Sequence, residues 1–209
     1  MNLAVAAPLA AGLTAGLLAA GLQTASSGPV PLQVSTSERT ESGELTLATG
    51  DLETYRIRLL PVASFPELPT AISSQLLSRG CMVPQSFEAQ QPENVIHGSF
   101  RAQGSSDWAV LCSVRGTTTL YVFFAGQFDA PLALRSQADT AWLGSEPGSS
   151  IFGSAWGINT RSESDLRESR QLHGAAPFDH DAIEDARLER STTIRYCQDG
   201  HWLALGVQE

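Results

Sequence analysis

The fold is decided between residues 94 and 126, where the sequence reads NVIHGSFRAQGSSDWAVLCSVRGTTTLYVFFAG. Three short runs within it, at residues 95–100, 108–114 and 119–125, are rich in β-branched and aromatic residues, which suit a pleated surface. Turn-type residues separate the runs, at 103–106 and at Arg115 and Gly116. The pattern therefore predicts a three-stranded antiparallel meander.

The C-terminal region predicts a second sheet element. Runs suited to strands at residues 192–198 and 201–207 flank Asp199 and Gly200, a dipeptide that favours a two-residue hairpin turn. Such a turn sets the register, and its cross-strand pairs are Ile194 with Leu205, Tyr196 with Leu203 and Cys197 with Trp202. The face with Ile194 and Tyr196 is the better core candidate, so Cys197 lies on the other face beside an aromatic ring.

Weaker patterns predict the remaining elements. Leu68, Ile72 and Leu76 recur at helical spacing ahead of Gly80, which indicates a helix over residues 68–79. We also expect an edge strand at 55–62, a fourth strand at 132–134, a helical turn at 139–143, a bulged strand at 151–158 and a polar helix at 162–172 that starts with a capping-box-like SESD. The predicted class is α+β, an antiparallel sheet of about five or six strands with one helix packed on one face.

The N-terminal region is predicted to direct export. Residues 1–28 carry no charged side chain, and the apolar run at 9–22 suits a signal peptide better than a membrane span of roughly 20 residues. Small residues at Ala25 and Ser27 fit cleavage after Ser27, although no basic residue precedes Arg39. We therefore expect residues 1–27 to be a signal peptide, with a retained N-terminal anchor or a disordered tail as alternatives. Residues 28–56 would be a flexible linker, and residues 57–209 one domain in the periplasm or outside the cell.

The composition restricts the class of partner. The chain has 13 basic and 22 acidic residues, a formal charge of −9, and 42% of its 209 residues are hydrophobic, enough for one core. Nucleic acids and anionic membrane surfaces require a positive patch, so we expect neither as a partner, beyond the N-terminal anchor alternative. The expected partner is an unidentified protein or small-molecule ligand.

The three cysteines are too few and too far apart for a zinc site, and no CxxC motif is present. In an oxidising compartment two of them would pair. Because Cys197 is placed beside Trp202, a disulfide between Cys81 and Cys112 is favoured by elimination. The alternative is that all three are buried thiols.

Residues 98–110, GSFRAQGSSDWAV, resemble the FG-GAP repeat of integrin-type β-propellers, whose calcium loop runs roughly GDFNGDGxxDxAV. Six positions match: Gly98, Phe100, Gly104, Asp107, Ala109 and Val110. The other metal-ligand positions hold Ser99, Arg101 and Gln103, so only Asp107 remains of a site that needs six to eight oxygens. The resemblance implies a strand–loop–strand unit rather than a propeller.

An acidic segment at residues 179–185 partly follows the same loop pattern. Asp179, Asp181 and Asp185 occupy its third, fifth and ninth positions and are the candidate ligands of a weak Ca²⁺ site. The favoured alternative is an acidic helix start with Asp179 as N-cap, so no cofactor is expected unless Ca²⁺ binds here.

The wider order of motifs resembles uncharacterised bacterial proteins with an exported N-terminus. The motifs are GCMVPQ, NVIHGSF, DWAVLCS, DHDAIED and a C-terminal YxxxGxWLxL, and they extend from about Phe65 to the end. The resemblance implies no activity. It does imply that Cys81 and Cys112 are the matching cysteines.

Two function classes remain open. The serine elbow G-x-S-x-G is absent, because Ala155 stands at the nucleophile position of the nearest sequence. The favoured class is a non-enzymatic extracytoplasmic binding or inhibitor module. The alternative is a small hydrolase with a site around His97, Asp107 and Cys112, although Cys112 shares an apolar strand face with Trp108.

Overall fold

The structure is a computed structural model, and it describes residues 36–145, 148–168 and 178–207. Its strands are β1 Arg39–Thr46, β2 Leu52–Pro61, β3 Met82–Pro84, β4 Val95–Gly98, β5 Asp107–Val114, β6 Thr117–Phe124, β7 Gln127–Ala138, β8 Leu143–Gly144, β9 Ile151–Ser154, β10 Trp156–Arg161, β11 Ala182–Arg187, β12 Ser191–Gln198 and β13 His201–Val207. Its helices are α1 Thr70–Ser78 and α2 Glu163–Glu168, and Val62–Ser64 forms a 3₁₀ turn. The predicted signal peptide, residues 1–27, lies outside the described residues.

The strands form two sheets. The first has nine strands in the order β7-β6-β5-β3-β2-β9-β8, with β1 also paired to β2 and β4 to β5. The second has four strands in the order β10-β11-β12-β13. Pairing is antiparallel except between β2 and β9, which are parallel. The sheet-rich α+β prediction is confirmed in this coarse form, but the single sheet of five or six strands is wrong.

The central meander is confirmed as β4, β5 and β6. Arg115 and Gly116 both have positive φ, at 52° and 79°, as a two-residue type I′ turn between β5 and β6 requires. Both faces of β5 are buried. Val110 and Cys112 point to the cluster around α1, whereas Ala109 and Leu111 point to the second sheet. The meander is therefore the middle layer of the domain.

Helix α1 covers one face of the first sheet. Its apolar side packs Ile72 and Leu76 against Val110, Cys112 and Phe123 of the meander. The helix ends as predicted at Gly80, whose φ is 71°. The Gly80 N–H donates to Leu77 O and the Cys81 N–H to Leu76 O, which is a Schellman motif.

The predicted disulfide between Cys81 and Cys112 is confirmed. Cys81 lies just after α1 and Cys112 in the middle of β5, with Cα atoms 5.3 Å apart. Both sulfurs are buried in the cluster beneath α1. Cys197 is a free buried thiol. The bond therefore ties the end of the helix to the central strand.

The second sheet covers the other face of the meander. Trp156, Ile158 and Ile183 pack against Leu111 and Leu120. The hairpin of β12 and β13 has the predicted register, in which Ile194 pairs with Leu205, Tyr196 with Leu203 and Cys197 with Trp202. No described helix is both long enough and apolar enough to cross a membrane.

The linker predicted over residues 28–56 is wrong over its described part. Strand β1 pairs with β2 along its whole length, from Arg39 opposite Leu59 to Thr46 opposite Leu52. Backbone pairing holds it, and its side chains are mostly exposed, which is why the sequence shows no sustained apolar period. Strand β2 also pairs with β3 and β9, so the predicted edge strand is an interior strand.

Two further predictions are wrong. The run at residues 151–158 is not one bulged strand, because the chain changes sheets at Ala155. The Ala155 N–H donates to Trp142 O at 2.9 Å, and its carbonyl accepts from the Leu188 N–H at 2.9 Å. The segment predicted as a helical turn, residues 139–143, is a non-helical turn that leads into β8. Asp139 at its start accepts hydrogen bonds from the hydroxyls of Ser113 and Thr118.

Candidate functional site

A cleft opens where three distant segments of the chain meet. They are the loop between β4 and β5, the start of α2, and residues 178–181 ahead of β11. The cleft has a volume of about 440 Å³. We call it the acidic cleft, and its lining residues are Ser99, Gln103, Gly104, Ser162, Glu163, Ser164, Phe178, Asp179, His180 and Asp181.

Reciprocal hydrogen bonds join two of these segments. The Asp181 N–H donates to Ser99 O at 3.0 Å, and the Ser99 N–H donates to Asp181 Oδ2 at 2.9 Å. The Thr160 hydroxyl adds a third link, because it donates to His97 O at 3.0 Å. The β4–β5 loop is therefore fixed to the second sheet at the floor of the cleft.

Helix α2 supplies the third wall. Its predicted cap is confirmed, since the Asp165 N–H donates to Ser162 Oγ at 3.1 Å. Glu163 forms an ion pair with Arg167 one turn later. Leu166 is fully buried beside Phe178 and Ile194, so this short helix is packed on the domain. The rest of the predicted helix, residues 169–172, lies outside the described residues.

The lining is acidic and holds one unusual imidazole. Glu163, Asp179 and Asp181 carry its carboxylates, and no arginine is among the described residues that line it. His180 is 9% exposed, and its ring lies 5.2 Å from that of Phe178. Its Nδ1 is 3.4 Å from Asp179 Oδ1, while Nε2 is buried with no hydrogen-bond partner among the described residues. A buried nitrogen without a partner is rare and marks a place where a ligand atom would be stabilising.

A smaller cleft of about 230 Å³ lies on the other side of residues 178–180, next to Cys197 and Asp199. Burial raises the pKa of the Cys197 thiol, and the nearby Gly200 backbone and Arg101 only partly offset this effect. The thiol therefore stays protonated at neutral pH and is a poor nucleophile.

The structure does not bring His97, Asp107 and Cys112 together. Cys112 is in the disulfide and has no free thiol. His97 is exposed on β4, with its ring 4.7 Å from Trp108 and Nε2 2.9 Å from Ser106 Oγ. Because His97 pairs with Trp108 across the strands, it faces the side of β5 opposite to Asp107. None of the three lines the acidic cleft.

Asp107 instead organises the FG-GAP-like loop. It is fully buried, and its carboxylate accepts the N–H groups of Arg101 at 3.0 Å and Ala125 at 2.9 Å as well as the Ser105 hydroxyl. Oδ2 is therefore satisfied within the loop, and Oδ1 by the turn that follows β6. The surviving carboxylate of the calcium-loop pattern thus binds two backbone N–H groups and one hydroxyl.

The acidic segment at 179–185 is not a helix start, because Ala182–Arg187 is strand β11. Asp185 is fully buried between the sheets, where it accepts from Trp156 Nε1 at 2.7 Å and Arg195 Nε at 2.7 Å and lies 3.5 Å from Arg135. Asp179 and Asp181 line the acidic cleft, whereas Asp185 does not. In the described part of the chain, no three His, Cys, Asp or Glu side chains are placed to hold a metal ion.

Sequence reasoning missed most of the cleft. Ser99, Gln103 and Glu163 lie in stretches that were recognised as a loop and a helix start. Nothing in either stretch indicated that they meet across more than 60 residues of chain. No protein-family model, no curated protein and no solved structure matches the chain. The resemblance to exported bacterial proteins therefore stays a prediction.

Proposed function

We propose that the protein is a non-enzymatic binding module and that the acidic cleft is its ligand site. The observation that supports this is the convergence of three segments on one concave surface, with His180 Nε2 buried in its lining and without a hydrogen-bond partner among the described residues. Hydrogen bonds between Ser99 and Asp181 join two of the segments, and Leu166 packs α2 against the domain, so the cleft exists before a ligand arrives. A preformed cleft loses little free energy to ordering when it binds.

The ligand class follows from the lining. Glu163, Asp179 and Asp181 favour a small cationic ligand with hydrogen-bond donors, such as an amine. The formal charge of −9 attracts the same class of ligand over longer distances.

The hydroxyl groups of the cleft argue for binding over hydrolysis. Ser99 donates its hydroxyl proton to Ser105 O at 2.9 Å, and Ser162 Oγ caps α2. Ser164 lies 2.9 Å from Ser162 Oγ. Each of these oxygens has a structural neighbour, and within the described ranges none is hydrogen-bonded to an imidazole that would act as its base.

We further propose that the module works outside the cytoplasm. The buried disulfide between Cys81 and Cys112 supports this, because such bonds persist mainly in oxidising compartments. The predicted signal peptide at residues 1–27 would provide the route.

The test is a titration with a diamine, putrescine, followed by isothermal calorimetry and by amide shifts in NMR spectra. We expect binding to weaken about ten-fold in Asp179→Lys, because the substitution reverses one of the cleft's exposed charges. Glu44→Lys is the matched control, since it makes the same charge change at an exposed position on β1. The proposal fails if putrescine does not bind, or if both variants weaken binding equally, which would indicate attraction to net charge alone.

A further inference from the structure

Another cleft, which shares no lining residue with the acidic cleft and is of opposite charge, lies on the first sheet. It has a volume of about 270 Å³ and lies between β2, the loop after β3 and the start of β9. We call it the arginine cleft, and its lining residues are Arg56, Arg58, Gln85, Ser86, Phe87, Ala89, Ser149, Ile151, Phe152, Gly153 and Ser154. No acidic residue is among these described lining residues, although the chain as a whole carries a charge of −9.

The backbone of β2 places both guanidinium groups on one side. Arg56 and Arg58 are two residues apart on an extended strand, so their side chains leave the same face. The alternate residues Ile57 and Leu59 are fully buried on the other face. Rotation of the strand to hide the arginines would therefore expose the core, which fixes them at the cleft.

Neither arginine has its hydrogen-bonding capacity filled by the described residues. The side chain of Arg56 makes no hydrogen bond or ion pair with them, whereas its backbone is part of the β1–β2 pairing. Arg58 Nε is shielded from solvent and has no hydrogen-bond partner in those ranges, and the nearest carboxylate oxygen, Glu38 Oε1, is 3.7 Å away. That distance is too long for a hydrogen bond. A shielded guanidinium donor without an acceptor is unfavourable unless a ligand supplies one.

The opposite wall is rigid and rich in hydroxyl groups. The Phe87 N–H donates to Ser154 O at 2.8 Å, which attaches the loop after β3 to β9. The Phe87 side chain lies so close to Gly153 that a Cβ there would be 2.7 Å from Phe87 Cβ. Ser86 and Ser154 add hydroxyl groups to this wall, whereas the Ser149 hydroxyl already donates to Ile151 O at 3.2 Å. The arginines therefore face a fixed surface with additional hydrogen-bonding groups.

We propose that the arginine cleft binds the oxyanion group of a small ligand, a phosphate or a carboxylate. The guanidinium fork matches two oxygens of either group and forms charge-assisted hydrogen bonds with them. The hydroxyl groups opposite are suited to the remaining oxygens. This site does not depend on the acidic cleft, because the two share no lining residue.

The test uses inorganic phosphate and acetate as separate probes, each compared with sodium chloride at equal ionic strength. We expect one or both to bind in calorimetric titrations and to shift the amide signals of residues 85–89 and 149–154. Binding by phosphate alone identifies a phosphate group, and binding by acetate identifies a carboxylate. Arg56→Gln, an exposed position that leaves the core intact, should weaken the binding about ten-fold.

The matched control is Arg190→Gln, which removes the same charge at an exposed turn between β11 and β12. It should bind the probe as tightly as the unchanged protein. If Arg58→Gln folds, its affinity for the probe is a second test of the site. If it does not fold, Arg56→Gln alone tests the proposal. The proposal is overturned if neither probe binds more tightly than chloride, or if Arg190→Gln weakens binding as much as Arg56→Gln.

Discussion

Asn94 is the residue whose removal should most directly separate the two sheets. Its side chain is buried, with 1% exposure, and it bonds to backbone groups in both sheets. Nδ2 donates to Pro84 O at 2.7 Å and to Trp156 O at 3.1 Å, while Oδ1 accepts the Ile158 N–H at 3.0 Å. Strand β10 is the edge of the second sheet, so these groups of Trp156 and Ile158 have no strand beside them.

Asn94→Ala should lower the free energy of unfolding by about 3–5 kcal/mol. It leaves three buried backbone groups without their partner, at about 1–3 kcal/mol each before relaxation and entry of water. The backbone adds to this loss, because Asn94 has φ of 70°, a conformation that costs alanine about 1 kcal/mol. Asn94→Gly removes the same hydrogen bonds without that strain, so it should be less destabilised than the alanine variant.

The measurement is guanidinium denaturation followed by tryptophan fluorescence, under oxidising conditions that keep the disulfide closed. Asn159→Ala is the matched control, since Asn159 is exposed on β10 and makes one side-chain hydrogen bond, to Glu184 at 3.3 Å. It should change stability by less than about 0.5 kcal/mol. A loss below about 1 kcal/mol in Asn94→Ala would refute the role of Asn94 as the link between the sheets.

Two further variants test the interior. Asp185→Ala should destabilise the fold by about 3 kcal/mol in the same denaturation assay, because Arg195 and Arg135 would lose their buried counter-charge. The control, Glu184→Ala on the same strand, should cost under about 1 kcal/mol. Equal losses in the two variants would contradict this prediction. Replacing Cys81 and Cys112 together by alanine should lower the free energy of unfolding by about 3–4 kcal/mol, as expected for a disulfide between cysteines 31 positions apart. Iodoacetamide in denaturant should add one label before reduction and three after it, and three labels before reduction would contradict the pairing.

The parts of the fold that the sequence predicts correctly are those with local causes. Asp199 and Gly200 adopt φ of 52° and 78°, so the turn that their residue types favour also fixes the register of β12 and β13. The end of α1 at Gly80 is equally local, because glycine accepts the left-handed conformation that closes a helix. Neighbouring residues determine these features, so a single sequence is sufficient to predict them.

The assignment of strands to sheets has no such local cause. Residues 151–158 are predicted as one strand, yet the chain leaves one sheet and joins the other at Ala155, whose backbone bonds to Trp142 O and to the Leu188 N–H. The prediction of a linker in place of β1 is wrong for a different reason. Its stability comes from pairing with β2, and pairing leaves no apolar period in the side chains.

The acidic segment shows how the same error of element type changes a functional conclusion. In the calcium-loop pattern Asp181 and Asp185 would converge on one cation, and in the alternative, an acidic helix start, they would lie one turn apart, about 5–6 Å between their Cβ atoms. The chain is extended through β11, which separates positions four residues apart by about 13 Å. Asp185 consequently reaches Arg195 between the sheets, while Asp181 reaches Ser99 at the cleft. Extension thus divides one acidic motif into a carboxylate that contacts arginines of both sheets and carboxylates that line the acidic cleft.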